Sequence, residues 1–295
     1  MLKRILSLTL WLLALVATAQ TAPEAYRLYD AKGCTVSYAQ VVKSLAKADA
    51  IFVGEIHNCV LTHWMELRLL EDIYNSLKGK PLAVGMEMFE ADNQLILDEY
   101  MHRVISADRF ENECRLWPNY STDYEPLVYF AKQHELPLIA TNVPRRYANV
   151  VKERGLAALD SLSEEAKTYL PPLPLPYIKN EAATEGFSMM KMIGGKAAAR
   201  IDTERMSEAQ AVKDATMGWN IAQRLTKGGK LIHFNGSYHS DARGGIIPYL
   251  EKYRPGTSVR TIRAVRQEDI SRLDSAYMGL ADFYICIPED MPMSY

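Results

Sequence analysis

Cysteine, net charge and long apolar runs are all in short supply in this chain, and each shortage excludes something. Four cysteines (Cys34, Cys59, Cys114 and Cys286) in 295 residues are too few for a disulfide scaffold. An oxidising compartment would let them pair, but four cysteines admit three pairings and their spacing does not choose. The formal net charge is −2, or −4 without Lys3 and Arg4, so nothing points to a nucleic-acid partner. No Gly/Ser or Pro linker cleanly divides the chain and no internal repeat is found, which favours one domain over residues 20–295. Beyond the first twenty residues no apolar run approaches a membrane span.

Those first residues differ. Lys3 and Arg4 make a positive start, residues 6–16 an apolar stretch, and Ala17-Thr18-Ala19 a small-residue cleavage site. Residues 1–19 read as a secretory signal peptide. No cysteine lies at the cleavage point, so a bacterial lipoprotein anchor is not indicated. The expectation is an exported protein, periplasmic or outer-membrane-associated.

What is present is an alternation. Strands are predicted at 50–54, 82–89, 138–141, 231–236, 259–265 and 283–287. The first four are short, apolar and end in polar residues or glycine, as parallel strands buried on both faces do. The last two suggest an antiparallel edge. Helical periodicity fills the intervals. Val60, Trp64, Leu67, Leu70, Tyr74 and Leu77 predict one buried stripe after a cap at Asn58. Asp92 and Asp123 suggest further caps, and Ser207-x-x-Gln210 a capping box. The fold class is therefore α/β, a mainly parallel sheet with helices on both faces. One region breaks the pattern. An insertion over about 163–205 holds Leu170-Pro171-Pro172-Leu173-Pro174-Leu175-Pro176-Tyr177 and Phe187-Ser188-Met189-Met190-Lys191-Met192. It reads either as helices packed on the core or as an arm over an apolar ligand.

Chemistry concentrates at strand ends. Gly54-Glu55-Ile56-His57 follows one apolar run and Gly236-Ser237-Tyr238-His239 another. Ligands of open α/β sheets sit at the carboxyl ends of strands. Glu87, inside an apolar strand, is costly there without a partner. His57, Glu87 and His239 together suit a divalent transition metal with an open position for water. Glu55 is a ligand, a base or a helix cap, and His63 lies one turn along the first helix within possible reach. Cys59 is a ligand, a packed thiol or half of a disulfide. His233 reads as packed, His102 and His134 as surface. Arg145 and Arg146, after Pro144, suit carboxylates or phosphates, or are plain surface charge.

These residues in order resemble the ChaN family of bacterial haem-binding proteins within the Tiki and TraB superfamily. The resemblance is carried by Gly54–His57, Gly85-Met86-Glu87-Met88-Phe89, Gln94, Leu97-Asp98, Trp117, Tyr124-Glu125-Pro126-Leu127 and Ala140-Thr141-Asn142-Val143-Pro144-Arg145. It continues through Ala209-Gln210-Ala211-Val212-Lys213-Asp214-Ala215-Thr216-Met217, Asn235–His239 and Gly245-Ile246-Ile247-Pro248. It implies an EreA/ChaN-like fold, haem as cofactor, tyrosine ligation, a homodimer burying two cofacial haems, and a role in iron acquisition with an outer-membrane haem receptor as partner. Phenolate is an accepted axial ligand of ferric haem. Tyr177 is the preferred ligand, followed by Tyr120, Tyr124 and Tyr147. Arg145 and Arg146 would pair with propionates, and Trp117, Met189, Met190 and Met192 would cover the porphyrin. The rival reading is a metal-dependent hydrolase, with His57, His239 and Glu87 on the metal and Glu55 as general base. A third is a pseudo-enzyme that keeps the constellation as a hydrogen-bonded strut.

Overall fold

A computed structural model describes residues 23–193 and 202–294. The predicted signal peptide lies outside the described residues. The strands are β1 (Arg27–Asp30), β2 (Ala50–Glu55), β3 (Leu82–Glu90), β4 (Leu138–Asn142), β5 (Lys230–Gly236), β6 (Val259–Gln267) and β7 (Phe283–Pro288). They form one sheet in the order β1-β7-β6-β2-β5-β3-β4. The helices are α1 (Tyr38–Leu45), α2 (Val60–Ser76), α3 (Gln94–Met101), α4 (Ala107–Glu113), α5 (Glu125–Gln133), α6 (Arg145–Arg154), α7 (Glu164–Lys167), α8 (Glu181–Ile193), α9 (Thr203–Arg224) and α10 (Ile246–Tyr253).

Both faces of the sheet are covered, and β2 shows why its sequence is an unbroken apolar run. Ile51 and Val53 point into the core beneath α1, α2 and α5, while Ala50 and Phe52 point into the core beneath α9 and α10. Alternating side chains thus reach two different interiors, as a parallel strand sandwiched by helices requires. Where α9 crosses α10, a Cβ on Gly218 would lie 2.9 Å from Tyr249 Cβ and 3.0 Å from the Leu250 nitrogen. Glycine inside a helix costs roughly 0.5–1 kcal/mol; here it lets the two backbones meet.

Four expectations change. β6 and β7 run parallel to β2 and to each other, and the antiparallel edge is instead β1, paired with β7. The buried side of α2 is Thr62, His63, Met65, Glu66, Leu69, Leu70 and Ile73, whereas Val60 and Trp64 are about half exposed. Polar His63 and Glu66 turn inward because they have partners there. Helix α9 begins a turn before Ser207, with the Asp202 side chain accepting from the Glu204 and Arg205 N–H groups. The cap positions also shift: α2 and α5 start at Cys59 and Tyr124, whose own side chains make no cap bond, while Asp92 lies within a short 3-10 turn before α3 and Asp123 within the turn Tyr120–Tyr124 before α5.

The insertion is packed on the core, as the first reading has it. Its proline arm is pinned by Tyr249, whose hydroxyl donates to the Pro176 carbonyl at 3.0 Å and accepts from the Ile178 N–H at 2.9 Å. Helix α8 then packs on α9 and beside the turn at Ser237–His239.

Candidate functional site

The sheet opens where β5 inserts between β2 and β3. β2 stays paired with β5 through Glu55 opposite Gly236, but β3 leaves β5 after Met86 opposite Phe234. The Gly236 N–H therefore has no strand partner on that side. The Glu87 carboxylate takes its place, accepting that N–H on Oε2 at 2.8 Å. Such a reversal in strand order leaves a crevice at the carboxyl ends. Here the crevice is a cavity of about 240 Å³ lined by His57, Glu87, Trp117, Arg145, Lys213, Tyr238 and His239, with Glu90, Asn142, Val143, Gln210 and Gly236 completing the wall.

Both Gly-x-x-His imidazoles are held from behind. His57 Nδ1 sits 2.5 Å from Glu55 Oε1, and His239 Nδ1 sits 2.5 Å from Asp214 Oδ1. A carboxylate on one ring nitrogen fixes the tautomer and aims the other nitrogen. His239 Nε2 is aimed at Glu87 Oε1, 3.2 Å away. His57 Nε2 lies over Gly236, where a Cβ would come within 2.6 Å of it and 3.6 Å of Glu87 Oε2. Only glycine lets the ring approach so closely. Trp117 meets the His57 ring edge-on at 4.9 Å.

The charges are mutually dependent. Burial alone would lower the His239 pKa, but Glu87 and Asp214 outweigh it and hold the imidazolium, with a pKa of about 10. Burial would raise Glu87, yet the positive charge of His239 and then His57 carries it well below the usual carboxylate range. His57 is likewise raised, its burial outweighed by the bond to Glu55 and the field of Glu87. Asp214, fully buried in α9, is raised by that burial, partly offset by His239.

The structure thus brings His57, Glu87 and His239 to one cavity. Glu55 is behind His57 rather than in the cavity: it is buried, and its Oε1 also accepts from the Tyr124 hydroxyl at 2.8 Å. As placed, it holds no position from which to activate water at the cavity. Tyr124, engaged by Glu55 and wholly buried, is closed to a ligand; Tyr120 and Tyr147 are buried too. Tyr177 is 43% exposed on the proline arm and is not part of the cavity wall. The phenol at the cavity is Tyr238, 53% exposed. Arg145 reaches the cavity, whereas Arg146 turns to Asp92 and lies over the Tyr147 ring. Met189 and Met192 are 61% and 77% exposed on α8. His233 is packed as expected, between Thr141 Oγ1 at 2.8 Å and Asn235 Oδ1 at 2.9 Å. The four cysteines are unpaired, Cys34 exposed and the others buried. Sequence reasoning gave no role to Tyr238, Lys213 or Asp214. The signal for the latter two was Lys213-Asp214 interrupting the apolar stripe of α9, three and four residues after Gln210.

A parallel α/β sheet whose reversed strand order opens onto paired imidazoles defines a ligand-binding α/β protein with its site at the strand ends. Residues 41–250 match the family described as haem-binding uptake, Tiki superfamily, ChaN, and the chain belongs to that family. In sequence it is 26% identical over 222 residues to RETICULATA-RELATED 5, a chloroplastic protein of Arabidopsis thaliana. That match covers 71% of this chain but only 30% of the plant protein. Among solved structures it is similar to ChaN of Campylobacter jejuni, described with cofacial haem binding: TM-score 0.66, 18% identity, 88% of this chain and 96% of that one. A more distant likeness is to the erythromycin esterase EreC (TM-score 0.45, 12% identity, 89% of this chain and 82% of that one).

Proposed function

We propose that this chain binds haem over the mouth of the cavity, with Tyr238 as the iron ligand. The observation that carries the reading is that the match to a haem-binding family, over residues 41–250, takes in every residue of the cavity wall. The residues present fit the group. Tyr238 is an accessible phenol, and ferric haem accepts a phenolate axially. Arg145 and Lys213 are cations at the same mouth and suit propionates. Trp117 offers apolar surface at the cavity, and Met189 and Met192 are exposed, polarisable side chains on α8. Haem, when bound, would supply the iron centre; the chain's part is to bind it, orient it and exclude water.

Size constrains the arrangement. A pocket that encloses a drug-sized ligand measures roughly 300–1,000 Å³, and this one has about 240 Å³. A group the size of a porphyrin would not fit inside it and would be held at the mouth by Tyr238, Arg145 and Lys213, leaving it partly uncovered by this chain. A second copy with its own bound porphyrin is the cover we propose, giving a homodimer. With the predicted signal peptide, the role we propose is exported haem handling in iron acquisition, with an outer-membrane haem receptor as partner. The test is titration of the purified protein with haemin, followed by visible spectrum and light-scattering mass. Wild type is expected to develop a phenolate-type ferric spectrum and to double in mass. Tyr238→Phe is expected to lose that spectrum and at least ~10-fold in affinity, a change of ~1.4 kcal/mol. Loss in Tyr177→Phe instead moves the ligand to the proline arm, and no haem uptake by wild type ends the reading.

One observation favours a second reading. Each histidine is backed by a carboxylate, which is how metal-ligating histidines are usually held. A metal bound by His57, His239 and Glu87 would make a hydrolase. Stoichiometric metal in haem-free protein, lost in His239→Ala, is the result that would favour it.

A further inference from the structure

Behind His57, on the side away from the cavity, lies a second group of acids and imidazoles that the haem reading does not use. Glu55, His63 and Glu66 each present a ligand atom within 4.8 Å of the other two, and all three residues are buried. His63 Nδ1 stands 3.0 Å from Glu66 Oε2 and 3.6 Å from Glu55 Oε2. Its other nitrogen faces only acceptors, the His57 carbonyl at 3.1 Å and Asp123 Oδ2 at 3.4 Å. A neutral ring with its proton on Nε2 turns the Nδ1 lone pair toward Glu55 and Glu66, where a cation would displace the contact to Glu66.

Independent of that clustering, two carboxylate oxygens receive no N–H or hydroxyl donor from the rest of the fold. Glu55 Oε2 and Glu66 Oε1 are fully buried, and the hydrogen bond open to this pair of acids is a proton shared between them. Buried acceptors of this kind are rare and costly, and an unplaced ion is one of the few things that accounts for them. Three acceptor-type atoms around one point call for positive charge between them.

We propose that Glu55, His63 and Glu66 form a buried binding site for a divalent first-row cation, separate from the haem cavity. One imidazole nitrogen and two carboxylates suit zinc or manganese. Asp123 is the outer partner of His63. It is itself held by the Asn119 amide at 2.7 Å and the Ser294 hydroxyl at 2.8 Å. A ligating histidine with a carboxylate on its far nitrogen is the usual outer arrangement. The segment carrying Ser294 also lies over the site, with Met293 bridged to Cys59 and the Ser294 N–H donating to the Asn58 carbonyl. Because Glu55 Oε1 holds His57, the cation would steady the wall of the haem cavity from behind.

The probe is Zn²⁺. Full-length protein is stripped with chelator, dialysed against ZnCl₂ and then buffer, and analysed for metal per chain. Wild type is expected to keep one equivalent, as is Glu87→Gln, which alters only the cavity. Glu66→Gln is expected to bind ~100-fold more weakly or worse, since even loss of an outer partner costs 10–100-fold. Its haemin spectrum should match wild type, which separates failure of this site from failure of the haem reading. The proposal stands only if zinc is kept in Glu87→Gln and lost in Glu66→Gln; every other pattern, including no zinc in wild type, overturns it. If Glu66→Gln does not fold, anomalous diffraction from zinc-loaded wild type decides. A peak between Glu55, His63 and Glu66 supports the site, and a peak beside His239 or none overturns it.

Discussion

Two clusters of acids and imidazoles sit back to back in this molecule, joined through the Glu55–His57 pair, and they are completed to different degrees. On the cavity side the acceptors are matched. Glu87 gives one oxygen to His239 and the other to the Gly236 N–H, and Asp214 faces the second nitrogen of His239. On the core side Glu55 Oε2 and Glu66 Oε1 have no N–H or hydroxyl donor and only each other to share a proton with. An unsatisfied buried acceptor costs roughly 1–3 kcal/mol. The cavity is thus a preorganised surface that protein atoms alone can hold, whereas the core cluster is left with unmet electrostatic demand. The difference separates a group whose removal breaks a finished network from one whose charge the fold can spare.

The sharpest way to break that comparison is Glu87→Ala. The change strands the His239 charge with Asp214 alone and orphans the Gly236 N–H. Removing one partner of a buried pair typically costs about 3–5 kcal/mol, so urea denaturation of the haem-free variant should show a loss of that size. A loss below about 1 kcal/mol would mean the cavity network is no more finished than the core cluster.

A second contrast lies between two buried histidines. His239, between carboxylates, is held charged, while His233, between Thr141 and Asn235, has its pKa lowered to about 4, first by burial. The sign follows from proton counting. Below an unfolded pKa of about 6.5 the unfolded chain binds a proton that the folded chain refuses. Stability from this residue is therefore complete above pH 6.5 and is lost as pH falls toward about 4. The gap between those values corresponds to about 3 kcal/mol. His233→Asn keeps a neutral polar group and removes the titration. Stability measured from pH 7 to 4 should fall by about 3 kcal/mol less in the variant than in wild type. Parallel curves would show that His233 is not held neutral.

Much of the scaffold was legible because strands covered on both faces leave continuous apolar runs, as 50–54 and 231–236 do. β1 was not: Arg27–Asp30 is four residues, with both ends only half-buried. The direction of β7 was also hidden. A parallel return usually needs a crossover helix, and residues 268–282 make it with only a 3-10 turn at Ser275–Tyr277. The Gly-x-x-His turns were legible because strand, glycine and imidazole are adjacent in the chain. Asp214 and Glu66 were not, since each is brought in by a helix and shows its role only once that helix has docked. For α2 the apolar stripe holds only over its later turns: Leu70 and Leu77 are buried and Leu67 and Tyr74 pack on the core, whereas Val60 and Trp64 are half exposed and His63 and Glu66 turn inward.

The smallest expected effect tests the core side. In chelator-treated protein Glu66→Gln replaces an acid whose pKa lies well above the ordinary carboxylate range. Burial is the main cause, and the charges of Glu55 and Asp123 add to it. The new amide can turn its NH₂ toward the His63 Nδ1 lone pair, and its second N–H is a donor for the neighbouring Glu55 carboxylate. The buried group stays the same size, so no cavity forms. The expected change in unfolding free energy is within about 1 kcal/mol, the net worth of one hydrogen bond, against the several expected for Glu87→Ala. Equal losses in the two variants would erase the distinction between the clusters. A gain in stability for Glu66→Gln would sharpen it, because the amide would then be supplying the donor that Glu55 lacks.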